Sequence, residues 1–178
     1  MKISHRFVIL LLAAVGTACD SPAGPAAPSA DMVALNASNA SPHINATGTF
    51  NQTAITSLVT SQAGPNTTLD QTSSGWISGT LAGSYTDDLK VVIHPNGNFN
   101  AHFTIRCECT VGGEQGILNL VASDRGELVS PTLASFSGRA TITGGTGDLA
   151  DLKGVLAIEG TIDVTTGLAT YTYSGSIH

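Results

Sequence analysis

The stretch Asn98-Phe99-Asn100-Ala101-His102-Phe103-Thr104-Ile105-Arg106-Cys107-Glu108-Cys109-Thr110-Val111 decides the fold. Phe99, Ala101, Phe103, Ile105, Cys107, Cys109 and Val111 fall on one side of a period-2 alternation. Asn98, Asn100, His102, Thr104, Arg106, Glu108 and Thr110 fall on the other. Side chains alternate faces only in an extended strand, so this is a long strand with one buried and one wet face. Gly112-Gly113 follows, a pair suited to the positive φ angles of a tight hairpin, and Gln115 to Ser123 runs back with Leu118, Leu120 and Ala122 on one face.

Working outward, Pro95-Asn96-Gly97 marks a turn before the long strand, and Thr165-Thr166-Gly167 marks one between Val155–Val164 and Leu168–Ile177. Strand-like runs fall near 44–51, 54–61, 69–83, 88–94, 98–111, 115–123, 126–142, 152–164 and 168–177, which predicts eight or nine strands and no long helix. Composition agrees. Only 11% of the 178 residues are charged, too few for the wet faces of a helical bundle. The seven basic residues are scattered and the net charge is −6, which removes the electrostatic footprint of nucleic-acid binding.

Glycine recurs inside the β-runs, at Gly48, Gly79, Gly138, Gly160 and Gly175. An interior glycine weakens a strand, so repeated ones indicate sharp coiling or close approach of a neighbour. A closed barrel has that need and also removes sheet edges. The expected fold is therefore a single all-β antiparallel barrel of about eight strands over residues 43–178, with a two-sheet sandwich as the alternative.

The first residues read differently. Lys2, His5 and Arg6 precede the apolar run Phe7–Val15, and Gly16-Thr17-Ala18 lead into Cys19. Nine apolar residues are too few to span a bilayer, so residues 1–18 read as a secretory signal. Small residues before a cysteine resemble the lipobox of bacterial lipoproteins, which implies cleavage before Cys19 and acylation of its thiol. Ordinary cleavage after Ala18 is the alternative. Residues 19–42 hold four of the seven prolines among small polar residues and are expected to be a tether. The expected location is the bacterial cell envelope, with the barrel on the periplasmic or cell-surface side.

Gly144-Gly145-Thr146-Gly147-Asp148-Leu149-Ala150-Asp151-Leu152-Lys153-Gly154, followed by Tyr171-Thr172-Tyr173-Ser174-Gly175, resembles the C-terminal half of bacterial domains of unknown function with the allene oxide cyclase-like barrel. Plant dirigent proteins and allene oxide cyclases carry a related GTG turn. Asp151 stands where the pattern commonly has glycine. In physical terms Gly145 and Gly147 would permit a left-handed turn, and Leu149 and Leu152 would plug one end. The resemblance implies a barrel and supplies no mechanism.

Four residues carry the weak case for catalysis. Glu159, on the face of Val155–Val164 opposite Leu156 and Ile158, would be a general acid if it pointed into a lumen beside Tyr171 and Tyr173, with Arg139 as its partner. The plain reading turns Glu159 outward. His102, Arg106 and Glu108 would form a proton-transfer row if luminal and a solvated surface otherwise. Cys107 and Cys109 sit at i and i+2, where a straight strand holds Cα atoms about 6.5–7 Å apart, so a disulfide there calls for a bulge or a turn. Two buried thiols, or metal or redox use, are the other readings. No nucleophile elbow, phosphate loop or dinucleotide fingerprint occurs, and no cofactor or metal is expected. The sequence thus points to a lipid-anchored barrel of unknown activity that binds a small hydrophobic ligand, with a cofactor-independent isomerase or cyclase as the alternative. The expected partners are the bilayer through Cys19, such a ligand and a second copy of the chain.

Overall fold

A computed structural model describes residues 43–178; the expected signal, Cys19 and the tether lie outside the described residues. Eight antiparallel strands follow one another around a closed barrel: β1 (Ile44–Ala63), β2 (Asn66–Gly79), β3 (Leu81–Ile93), β4 (Asn98–Val111), β5 (Glu114–Ser130), β6 (Leu133–Gly145), β7 (Gly154–Asp163) and β8 (Leu168–Ile177). Each strand pairs with the next, and β8 returns to pair with β1 from Ile44↔Ile177 to Asn51↔Thr170. The closed barrel, not the sandwich, is the fold.

The nine expected runs become eight strands for local reasons. Runs 44–51 and 54–61 are one strand, because the irregularities at Gln52/Ala54 and Ile55/Ser57 are bulges inside β1 and not a turn. Run 69–83 is two strands, split at Thr80, whose amide donates to the Thr47 carbonyl at 2.9 Å. Strand β5 continues past Ser123 to Ser130, and run 126–142 is divided by the Pro131-Thr132 turn. The Gly112-Gly113 hairpin has positive φ at both positions (61° and 96°), the geometry for which that dipeptide is suited.

The inward face of β4 is the one read from the sequence: Phe99, Ala101, Phe103, Ile105, Cys107, Cys109 and Val111 are all buried. Below it, at the end carrying the β2–β3, β4–β5 and β6–β7 connections, the interior is filled by Leu81, Leu118, Leu120, Leu156 and Ile177. Each such side chain contributes roughly 1.5–3 kcal/mol of burial. A single 3-10 turn, Gly147–Leu149, closes this end: Leu149 is buried and Leu152 packs on the core beside it. Gly147 alone supplies the left-handed residue (φ 62°); Gly145 has no positive φ and is small because Leu149's backbone crosses it.

The upper end, formed by the β1–β2, β3–β4, β5–β6 and β7–β8 hairpins, is different. Its rim carries exposed apolar side chains, Leu58, Val59, Leu128, Val129, Leu133 and Val164. Strand β1 also outruns β8 there: beyond Asn51 it pairs only with β2 as far as Ala63.

Candidate functional site

Midway up the barrel the interior carries a polar layer, with Val91, Phe99 and Phe103 buried beyond it toward the upper end. Strand β3 points Tyr85 and then Asp87 inward, β5 points Asp124, β8 points Tyr171, β1 points Gln52 and β2 points Gln71 and Ser73, and all seven are buried. The alternation that brings these strands' Leu and Ile residues inward at the lower end brings polar residues inward here. Part of the group is a closed chain of hydrogen bonds. Gln52 Oε1 accepts from the Ala169 amide at 2.9 Å, Gln52 Nε2 donates to the Ser73 hydroxyl, and that hydroxyl donates to Asp87 Oδ1.

The other part has no partners. The hydroxyls of Tyr85 and Tyr171 and the Oδ1 atom of Asp124 are buried and make no hydrogen bond within the protein. Buried polar atoms are almost always paired, at a cost of roughly 1–3 kcal/mol when they are not, so three in one region mark a place where something else belongs. The two tyrosine hydroxyls approach each other, and that contact raises Tyr171 further while opposing the rise at Tyr85. Burial pushes the Asp124 carboxyl up to about 7. Asp87 is also raised, first by burial and then by the charge of Asp88, against the opposing hydrogen bonds from Ser73. Tyr85 is raised by burial and by Asp87; Tyr171 is raised by burial and then by Tyr85, Asp87 and Asp124. Tyr85, Asp87 and Asp124 therefore all lie within electrostatic reach of Tyr171.

Aromatic rings pack around the two tyrosines. Phe50 stacks on Tyr171 with centroids 4.7 Å apart and meets Tyr85 edge-on at 5.4 Å, and Phe136 meets Tyr171 edge-on at 5.6 Å. The room for these groups comes from glycines opposite them. A Cβ at Gly138 would overlap the Asp124 carboxylate, and one at Gly160 would overlap Tyr171. The recurrent strand glycines thus answer to close approach as well as to coiling.

Of the four residues proposed from sequence, the structure brings two into the interior. Tyr171 lines the polar space. Tyr173 is lower and fully occupied: its hydroxyl accepts from the Leu81 amide at 2.8 Å and lies 3.2 and 3.3 Å from the Leu81 and Ser78 carbonyls, which ties down the β2–β3 corner. Glu159 and Arg139 are exposed on the outer wall, where Glu159 pairs in register with Ser137 and Arg139 with Ala157. The luminal reading of Glu159 with Arg139 is corrected: their positions alternate with the buried Leu156, Ile158 and Ala140, so both side chains face out. His102, Arg106 and Glu108 are also outside, and Arg106 bridges Glu108 at 3.1 Å. Cys107 and Cys109 form a disulfide in the buried wall. Their Cα atoms are 5.3 Å apart, and neither ladder of β4 shifts register there, so the strand contracts to make the bridge and needs no bulge. Among the described residues no three His, Cys, Asp or Glu side chains gather as metal ligands.

Tyr85, Asp87 and Asp124 were missed for one reason: Ser84–Asp87 and Asp124-Arg125 read as turn segments, since Asp and Ser favour turns. The signal lay in the unbroken alternation, Leu81, Gly83, Tyr85, Asp87, Leu89, Val91 on β3 and Leu118, Leu120, Ala122, Asp124, Gly126 on β5.

No family model matches the chain, and no curated protein matches it in sequence. Among solved structures it is similar to a protein of unknown function from the DUF3224 family of Shewanella oneidensis MR-1, with 17% identity, a TM-score of 0.52, and coverage of 75% of this chain and 96% of that one. The pterocarpan synthase dirigent protein PsPTS1 matches at 14% identity and a TM-score of 0.30, over 77% of this chain and 95% of that one. What the chain shares with the DUF3224 family protein is its β-barrel fold.

Proposed function

We propose that the protein is a lipid-anchored barrel of the bacterial cell envelope that holds one small, mostly apolar ligand in the upper half of its interior. The observation that carries this reading is the convergence of the unpartnered Asp124, Tyr85 and Tyr171 atoms within an aromatic wall. A ligand with an apolar body and one polar group would cover the rings and give those atoms partners, which is how small-molecule sites combine burial with orientation. An eight-stranded barrel has room for one such molecule at most. The apolar upper rim offers the way in. Anchoring rests on the lipobox-like Gly16-Thr17-Ala18-Cys19, and several acyl chains on Cys19 would hold the protein durably. The Cys107–Cys109 bridge suits an oxidising compartment.

Two measurements test this. Replacing Cys19 by Ser is expected to move the protein from the membrane to the soluble fraction, and continued membrane association would count against the anchor. In NMR titrations with 2-phenylethanol as a probe, the Phe50, Tyr85 and Tyr171 ring signals are expected to shift. Shifts confined to the outer wall, or none, would remove the ligand reading.

A second reading, a cofactor-independent isomerase or cyclase, is favoured by one observation: a carboxyl titrating at about 7, as Asp124 does, can both give and take a proton near neutral pH. On that reading Asp124→Asn would keep ligand binding and abolish turnover.

A further inference from the structure

The upper interior contains two carboxyl groups and no base. Every Lys, Arg and His among the described residues is outside or at the rim, and the buried charged residues are Asp87 and Asp124 alone. Asp87 is served by Ser73, whereas Asp124 keeps a carboxylate oxygen without a partner at 5% exposure. Beside it are Tyr85 and Tyr171, buried residues whose hydroxyls meet no group of the protein but each other, and the stacked faces of Phe50 and Tyr171. A neutral ligand would satisfy the hydroxyls but give the two acids no counter-charge on ionising, and an anionic one would oppose their ionisation further. A compact cation that donates hydrogen bonds answers each feature. Its N–H groups reach Asp124 and the tyrosine oxygens, its charge offsets the acids, and aromatic faces favour a cation in contact with them.

We infer that the interior site takes a protonated organic amine, a small apolar body ending in an ammonium group. The inference rests on the ligand-holding reading above and narrows it to one charge class. The ion-paired acids of the outer wall, Asp70 and Glu108, are already matched by Lys90 and Arg106 in water.

The test compares three probes of one size on the detergent-solubilised full chain by calorimetry, with the ring signals of Tyr85 and Tyr171 followed by NMR: 2-phenylethylamine, neutral 2-phenylethanol and anionic phenylacetate. The amine is expected to bind about tenfold or more tightly than the alcohol, the worth of one charge-assisted hydrogen bond, and phenylacetate to bind least. Asp124→Asn is expected to bring the amine to the level of the alcohol, while Glu159→Gln, an exposed acid, leaves the preference intact. Should the alcohol bind inside as tightly as the amine, the charge class is overturned and the ligand reading stands. Should no probe move the interior ring signals, both fail. An amine preference that survives Asp124→Asn and Asp87→Asn together would also overturn the inference.

Discussion

Asp124 shows how one side chain can set a property of the whole protein. Its carboxyl holds its proton to about pH 7 in the folded barrel, whereas the unfolded chain releases it near 4. Between those values the folded state binds more protons, so stability is fully present below the unfolded value and is lost as the pH climbs through the folded one. Asp87, raised in the same direction and close to the same tyrosines, adds to the slope. Urea melts at pH 5 and pH 8 should therefore show a less stable protein at the higher pH, by on the order of a few kcal/mol. Asp124→Asn should flatten that difference and make the protein more stable at pH 8; an unchanged slope would mean that another group controls it. Gly138, across from Asp124, makes a second prediction. Its Cβ would overlap the carboxylate and the Ser123 carbonyl, so Gly138→Ala should cost about 1–3 kcal/mol in the same melts. A Cβ on Gly144 would meet no atom within 4 Å, and its φ is not positive; Gly144→Ala should be neutral or stabilise by up to about 1 kcal/mol.

At the scale of the strand, what was legible depended on whether hydrophobicity and turn chemistry agreed. Strand β4 was readable in full because seven apolar residues alternate without interruption and Pro95-Asn96-Gly97 and Gly112-Gly113 bracket it. The GTG segment was readable because its glycines and leucines serve a local closure. The polar interior was not, because an inward Asp carries the same local signature as a turn Asp, and only strands brought together by closure reveal which it is. Cys107 and Cys109 hid in the same way: spacing gives the straight-strand separation, while the bridged strand is contracted to 5.3 Å. Strand β1 supports a further prediction. From Thr53 to Ala63 it has a partner on one side among the described residues, contains no charge and no proline, and exposes Leu58 and Val59 by more than half. Such an edge pairs with another strand unless it is guarded, and its uncharged sequence sets up no repulsion against a second copy of the same segment. Sedimentation of the Cys19→Ser protein at rising concentration should show a dimer, and adding Val59→Lys should return it to a monomer with thermal stability little changed. A monomer at every concentration in both would remove the expectation.

The whole molecule is a barrel with two unlike ends, sealed below by Leu149 and carrying a polar layer midway, with apolar side chains above it and an apolar rim. Its first and last strands are joined, Ile44 to Ile177. Every other pairing in the ring is a hairpin between neighbours in the chain, and such local contacts form early, whereas a contact between the two ends must wait for the entire chain. A chain that is made N-terminus first therefore presents β1 long before β8 exists to receive it. A stop codon between Asp163 and Leu168 would not yield a slightly smaller barrel but an open sheet with β1 and β7 both bare. For this gene, the tolerance of late truncation is set by its final ten-residue strand.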